Sequence, residues 1–298
     1  MILTDTLIFL AKTLPLIAVA TYLVSYSISK GLMERLAERI SFLLRGLDEI
    51  IVTSVAVCFI SPLVAYSMLS QALKDGKIDE REVIAASFLN SFPSTFSHIY
   101  SFFLPFVIPL LGWAGIVYTA IRLGVALVKS ALGYVLALRW RKGGRIEEKD
   151  VSGRRIDPLK STLDNLKRIA PTLAITYAVV RYLSVHHFFD RMSAILSFLP
   201  LDPNVVALSM VEFVNVRMAV IVASGFLQNG VLTPKWVVIG LMLGNVITFS
   251  TRFVKHSLPM HLSLFGRLGI KIVAINAIVT LLLDVTVILL LLSLPSPL

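Results

Sequence analysis

A long stretch of the chain recurs later in the sequence as a diverged second copy. Residues 65–127 recur 154 positions later as residues 219–281, and the alignment needs no gap. A shared apolar bias accounts for matched Leu and Val residues, but not for a proline and three glycines in one register. These landmark pairs are Gly76 and Gly230, Pro105 and Pro259, Gly112 and Gly266, and Gly115 and Gly269. In a membrane protein, such a repeat predicts a binding site between the two copies.

The composition is that of a polytopic membrane protein. Mean hydropathy is +0.83, and only 15% of the residues are charged, whereas soluble domains carry about 25%. A helix that crosses a bilayer needs about 20 apolar residues. The segments that meet this requirement are 6–29, 83–103, 105–138, 165–185, 234–251 and 265–293. The net charge of +10 falls in the loops between them, where it indicates topology rather than nucleic-acid binding.

The two copies have the same order of parts. The first copy covers 1–138 and the second covers 161–298, and the basic hydrophilic linker 139–160 joins them. Each copy begins with an apolar helix. An amphipathic helix that we expect to lie on the membrane surface follows, at 31–47 and 188–201.

Two interrupted apolar segments, 49–73 and 203–227, decide the topology. If each segment crosses the membrane, each copy crosses four times and the copies are parallel. If each segment enters the membrane and returns, each copy crosses three times and the copies are inverted. Lys and Arg accumulate in cytoplasmic loops, and the inverted arrangement places most of the 28 basic residues on that side.

Equivalent loops also differ in charge, since 98–113 carries no Lys or Arg and its counterpart 252–267 is basic. We therefore predict an all-α polytopic membrane protein built from two inverted-topology repeats. Each repeat has three spanning helices, one amphipathic surface helix and one re-entrant helical hairpin. The linker is expected in the cytoplasm and both termini outside the cell membrane.

Polar interruptions of the first copy mark candidate binding residues. Ser61 and Pro62 break the predicted hairpin, because proline lacks an N–H group and disfavours helix before it. Pro93 breaks or kinks the next helix, where hydroxyls and an amide accompany it. That substrate-binding set is Asn90, Ser91, Ser94 and Thr95. The other interpretation of these hydroxyls is that they repair the kink.

The second copy supplies the charged counterpart of this set. Glu212, Asn215 and Arg217 stand where the second hairpin should turn, and charged groups are costly in lipid unless they face protein or water. Asn245 and Thr248 interrupt the following helix. These five residues are predicted to bind substrate, although Glu212 and Arg217 could instead form an ion pair that closes the hairpin.

Other reactive residues give little indication of chemistry. Cys58 is the only cysteine, so no intrachain disulfide is possible, and a buried apolar role is favoured over metal binding. Arg122 and Lys129 could line a cavity or extend to the membrane surface, and His261 is interpreted as an interfacial residue. We find no nucleophile–base pair, phosphate loop or metal-ligand motif. The sequence therefore predicts no enzyme, no metal site and no cofactor, and leaves the coupling ion open.

Several motifs resemble the nucleoside-recognition domain, or Gate domain, of membrane proteins. They are Gly31-Leu-Met-Glu-Arg-Leu-Ala-Glu38, Leu47-Asp48, Ser61-Pro62, Leu73-Lys-Asp-Gly-Lys-Ile-Asp-Glu-Arg-Glu82 and Phe88-Leu-Asn-Ser-Phe-Pro93. Concentrative nucleoside transporters, the membrane part of ferrous-iron permeases and spore-maturation proteins share this domain, and the resemblance is nearest to archaeal proteins made of two such repeats. It implies a hairpin tip facing a broken helix, repeated upside down, with ligand between them.

The function expected from this combination is transport. We predict a transporter or permease that moves a small polar solute or ion by alternating access, with its site at the membrane midplane. A non-transporting scaffold that retains the fold, or a divalent metal-ion permease, is the alternative. The predicted partners are the lipid bilayer and the solute, with no nucleic acid, and the architecture is compatible with a homodimer.

Overall fold

The computed structural model describes residues 2–31, 46–140, 157–186, 201–247 and 257–295, together with positions 35, 39, 40, 42 and 44. Most of the two predicted surface helices and most of the linker lie outside the described residues. Within them the secondary structure is helical and contains no β-strand. The all-α prediction is therefore confirmed for the described part of the chain.

The first copy consists of one long helix, a broken hairpin, a broken helix and a final long helix. Its elements are α1 (Ile2–Ser29), α2 (Glu49–Ile60), α3 (Pro62–Lys74), α4 (Glu80–Leu89), α5 (Ser91–His98), a π-helical stretch (Ile99–Val107), α6 (Ile108–Leu111) and α7 (Trp113–Arg139). The π-helical stretch contains Pro105, which has no N–H to donate to the regular α-helical ladder.

The described elements of the second copy are α8 (Pro158–Val185), α9 (Pro203–Val214), α10 (Val216–Gln228), α11 (Pro234–Ile247), α12 (Leu258–Phe265) and α13 (Arg267–Ser293). They repeat the long first helix, the broken hairpin and the final long helix, but α11 runs unbroken through Gly244, the position equivalent to Asn90. The bounds of α9, α10 and α13 are those of α2, α3 and α7 displaced by 154 residues. The spacing of the sequence repeat is therefore also the spacing of these helices.

Matched residues at the helix ends explain the matched bounds. Asp48 and Asp202 each accept a hydrogen bond from the second backbone N–H of the helix that follows, at 2.9 and 2.8 Å. Gly112 and Gly266 precede the last helix of each copy with φ of 55° and 57°. Residues with a Cβ rarely adopt this positive φ, so glycine at both positions fixes the start of the long helix.

Both hairpins turn at one extended residue. Ser61 separates α2 from α3 with φ −151° and ψ 104°, and its hydroxyl accepts from Val64 N. Asn215 separates α9 from α10 with φ −162° and ψ 124°, and its side chain accepts from Arg217 N at 2.8 Å. The second turn forms without proline because the asparagine side chain caps the helix that follows.

Four helices in the described part of the chain are long and apolar enough to cross a membrane. They are Ile2–Leu23, Glu80–Leu111, Trp113–Arg139 and Arg267–Ser293. The predicted segment 165–185 lies in α8, which also carries Lys160, Asp164 and Lys167 and is not one of the four. The predicted segment 234–251 is described only as far as Ile247. The fold is therefore that of an all-helical, membrane-associated protein.

Close packing of α4 against α7 depends on Gly133. A Cβ added there would lie closer than 3.0 Å to Leu89 N and Ala85 O, which are backbone atoms that cannot rotate away. Gly124 lies on the same helix, and a Cβ added to it would meet no atom within 4 Å. The two glycines therefore form a matched pair for testing this contact.

We expect Gly133→Ala to destabilise the protein by about 1–3 kcal/mol, the usual effect of overpacking. Gly124→Ala should be neutral or stabilise by up to about 1 kcal/mol, because alanine favours helix. Thermal unfolding of both variants in the same detergent measures the difference. Equal melting temperatures would show that α4 and α7 do not approach as described.

Candidate binding cavity between the two copies

A cavity of about 220 Å³ lies between residues of both copies. The first copy contributes residues of α3, α4, α5 and α7 together with Asn90, and the second contributes Ser257 and residues of α12 and α13. The polar side chains of the described lining carry mainly hydroxyl, amide and cationic groups, and none of them is an Asp or Glu. A polar cavity inside a bundle of apolar helices has the character of a binding site.

The break between α4 and α5 forms one wall. Asn90 sits at the break and is fully buried. Its side-chain nitrogen lies 3.5 Å from the Ser54 hydroxyl, and its backbone carbonyl lies 3.6 Å from Cys58 Sγ. The side-chain oxygen of Asn90 has no hydrogen-bond partner within the described residues. An orphan acceptor at a cavity wall is available to a ligand.

Ser130 compensates for the backbone groups that the break releases. Its hydroxyl accepts from Phe92 N at 2.9 Å and approaches Leu89 O at 2.7 Å. The predicted hydroxyl repair of this kink therefore exists, but a serine of α7 provides it. Ser91, Ser94 and Thr95 instead line the cavity.

Helices α7 and α13 form the opposite wall. Lys129 is 8% exposed and donates from Nζ to the Thr280 hydroxyl at 3.0 Å. Asn276 donates from Nδ2 to the Ser87 hydroxyl at 2.9 Å. These bonds connect side chains of the two copies directly at the cavity.

An ion pair lies beside this wall. Arg122 donates from one guanidinium nitrogen to both carboxylate oxygens of Asp284, at 2.9 and 3.0 Å. The side chains are 18% and 4% exposed. The Glu212 carboxylate adds a smaller favourable charge interaction with Arg122. A buried pair of this kind is held firmly, because separating it leaves a charge without compensation.

The structure brings together the first-copy residues that the sequence analysis selected. Asn90, Ser91, Ser94 and Thr95 line the cavity together with Pro62. Pro93 is buried inside α5. Ser61 lies at the hairpin turn and is not part of the lining.

The second-copy residues occupy different places. Asn215 caps α10, and Arg217 is exposed, whereas Glu212 is 2% exposed, so the two charges do not close the hairpin as a pair. Asn245 donates to the Tyr118 hydroxyl at 2.8 Å. None of these four residues lines the cavity. Thr248 lies outside the described residues.

In the described part of the second copy, α11 continues without a break through the position equivalent to Asn90. Gly244 is the counterpart of Asn90, and Glu212 is the counterpart of Cys58. The Glu212 side chain lies so close to Gly244 that a Cβ there would clash with its carboxylate. In the second copy the Glu212 side chain therefore lies against Gly244, where the first copy has the side chain of Asn90.

The sequence analysis missed most of the second wall. Asn276, Thr280 and Asp284 were not selected, although their spacing of four residues puts three polar groups on one face of an apolar helix. The interpretation of His261 as an interfacial residue is wrong, because His261 is 6% exposed and lines the cavity. The described residues contain no group of three or more His, Cys, Asp or Glu side chains that could hold a metal ion.

The fold and the cavity define the class: a membrane-associated protein whose described residues form helices, with a polar cavity between its two copies. The chain is 42% identical over 288 residues to Uncharacterized protein MJ0871 of Methanocaldococcus jannaschii, covering 92% of this chain and 90% of that protein. It therefore belongs to the same family as MJ0871. Uncharacterized protein MJ0880 of that organism is 26% identical, covering 97% and 99% of the two chains. No family model and no solved structure matches the chain.

We expect Arg122→Met to destabilise the protein by about 3–5 kcal/mol, because it leaves Asp284 buried without its partner. The double variant Arg122→Met/Asp284→Leu should recover most of this loss. Arg217→Met is the control, since Arg217 is exposed and its loss should change stability by no more than about 0.5 kcal/mol. Thermal unfolding in detergent measures all three, and a double variant that is no more stable than Arg122→Met would contradict the ion pair.

Proposed function

We propose that the protein is a membrane transporter that moves a small polar solute or ion by alternating access. The cavity between the two copies is its substrate site. The observation that carries this proposal is a polar cavity that is lined by side chains of both copies and lies among apolar helices. If the copies move relative to each other, the lining residues of one copy separate from those of the other toward one side of the membrane or the other.

Reciprocal contacts support a twofold relation between the copies. The hydroxyl of Ser70 donates to the carbonyl of Leu264, and that of Ser224 donates to the carbonyl of Leu110 at 2.9 Å. Ser224 and Leu264 are the counterparts of Ser70 and Leu110 in the repeat. Each copy therefore gives the other the bond that it receives, which is the pattern of a twofold axis.

The direction of α7 and α13 supports inversion. Arg122 precedes Lys129 along α7, whereas their partners follow the reverse order along α13, where Thr280 precedes Asp284. The two helices are counterparts in the repeat and run antiparallel, so a twofold axis that relates them is perpendicular to both. If both helices cross the membrane, this axis lies in the membrane plane and the copies are inverted.

The Gate resemblance accounts for the broken elements. Hairpin α2–α3 lies against the broken helix, since Tyr100 donates from its hydroxyl to Phe59 O at 3.1 Å and Cys58 contacts Asn90. We infer a Gate fold of two repeats, each with three spanning helices, in which 49–73 and 203–227 are re-entrant. The linker then lies in the cytoplasm and both termini lie outside the cell membrane.

A non-transporting scaffold is the second candidate. The close contact of Glu212 with Gly244 favours it, because the Glu212 side chain occupies the space next to the counterpart of Asn90 in the second copy. The two functions differ in access, because a transporter exposes its cavity to each side in turn and a scaffold keeps it closed.

Access can be measured without knowing the substrate. Cys58 is the only cysteine, so Cys58→Ala provides a background for Ser94→Cys at the cavity wall. We expect a membrane-impermeant thiol reagent to label this cysteine from either side of oriented vesicles. Ala223→Cys is the control, because Ala223 is fully buried away from the cavity and should not react. Labelling of Ser94→Cys from one side only, or from neither, would contradict alternating access.

A further inference from the structure

We propose that the cavity binds a small organic monoanion, a carboxylate that also carries a hydrogen-bond donor such as a hydroxyl group. This inference rests on the proposed function and adds the chemical class of the solute. Three features of the lining support it. They are the ammonium of Lys129, the guanidinium of Arg122 paired with Asp284, and the side-chain oxygen of Asn90, which has no hydrogen-bond partner among the described residues.

Lys129 supplies the charge that recognises the solute. Its ammonium is buried at the cavity wall, where it donates to the neutral hydroxyl of Thr280 and lies 5.8 Å from the centre of the Phe88 ring. Asp284 is the acidic residue whose charge favours the protonated ammonium, but its oxygens are already engaged by Arg122. An ammonium has three donors, so one that is hydrogen-bonded to a single hydroxyl retains donors for an anion.

The charge balance of the cavity favours a monoanion. The described lining includes Arg122 and Lys129 but no Asp or Glu. Asp284 pairs with Arg122 and Glu212 adds a weaker charge interaction with the same guanidinium, so Lys129 is the lining cation that has no carboxylate bonded to it among the described residues. A metal cation would meet this positive charge without a carboxylate ligand, and a dianion would bring more charge than the wall compensates.

Asn90 supplies the second requirement. Its orphan side-chain oxygen can only accept a hydrogen bond, so a ligand that satisfies it must donate one. A halide or a simple fatty acid has no such donor. The cavity of about 220 Å³ is smaller than the pockets of roughly 300–1,000 Å³ that hold drug-sized ligands, which suits a short hydroxy acid rather than a long chain.

Matched pairs of small solutes test the two requirements separately. The probes are lactate, its uncharged amide lactamide, and propionate, which lacks the hydroxyl group. Binding is measured by isothermal titration calorimetry with the full-length protein in detergent. We expect lactate to bind about tenfold more tightly than lactamide, since hydrogen bonds to charged groups are the stronger ones. Lactate should likewise be favoured over propionate.

Variants assign each preference to its residue. Lys129→Met should abolish the preference for lactate over lactamide, whereas Thr280→Val, which keeps the charge, should retain it. Lys235→Met is the control, because Lys235 is buried but donates to the carbonyl of Leu294 away from the cavity. Asn90→Leu should remove only the preference for lactate over propionate.

The outcomes separate this inference from the proposed function. Equal affinity for lactate and lactamide in the unmodified protein, or no binding of lactate, would overturn the monoanion assignment even if Lys129→Met failed to fold. If Ser94→Cys were still labelled from both sides, transport would stand and only the solute class would be wrong. If the cysteine reacted from neither side while lactate bound through Lys129, the cavity would be a closed binding site.

Discussion

The crossing of α7 and α13 is the contact on which the rest of the structure depends. These two helices are long and apolar, and they are counterparts in the repeat. Arg122, Lys129 and Asp284 lie within them, where charged groups must find partners inside the protein. The Arg122–Asp284 pair and the bond from Lys129 to Thr280 therefore fix both the partner and the antiparallel direction of the crossing.

The same constraint explains the broken segments. A helix that stops inside an apolar bundle leaves backbone groups without partners unless side chains supply them. At the hairpin turns, Ser61 and Asn215 cap the helix that follows. At the break between α4 and α5, Ser130 serves the released backbone groups. The side-chain oxygen of Asn90 is then left at the cavity wall, which ties the broken helix to the proposed solute contact.

Local signals allowed the elements to be predicted from the sequence. The apolar segments 105–138 and 265–293 contain the last helices, although these start later, after Gly112 and Gly266, which adopt a positive φ that glycine favours. The repeat register predicted a turn near Asn215 even though no proline stands there. Asn90, Ser91, Ser94 and Thr95 were found because polar residues beside Pro93 interrupt an apolar helix. Apart from the repeat register, these signals lie within a few residues of the structure that they produce.

The second wall of the cavity required information that the sequence does not hold locally. Asn276 and Thr280 meet Ser87 and Lys129 across more than 150 residues, so no short motif joins them. The repeat also misled the choice of residues in the second copy, because the copies have diverged. Gly244 replaces Asn90, and Glu212 fills the space beside it. The helix breaks at Asn90 but continues through Gly244, so these equivalent positions share neither the break nor the role.

The central claim is that the two copies face opposite sides of the membrane. Lys77 and Val231 are counterparts in the polar turns after α3 and α10, and both are exposed. Single cysteines at these positions, in the Cys58→Ala background, can be labelled in oriented vesicles with an impermeant thiol reagent. The account predicts that the two cysteines react from opposite sides. Reaction of both from the same side would contradict the inverted arrangement and the transport mechanism built on it.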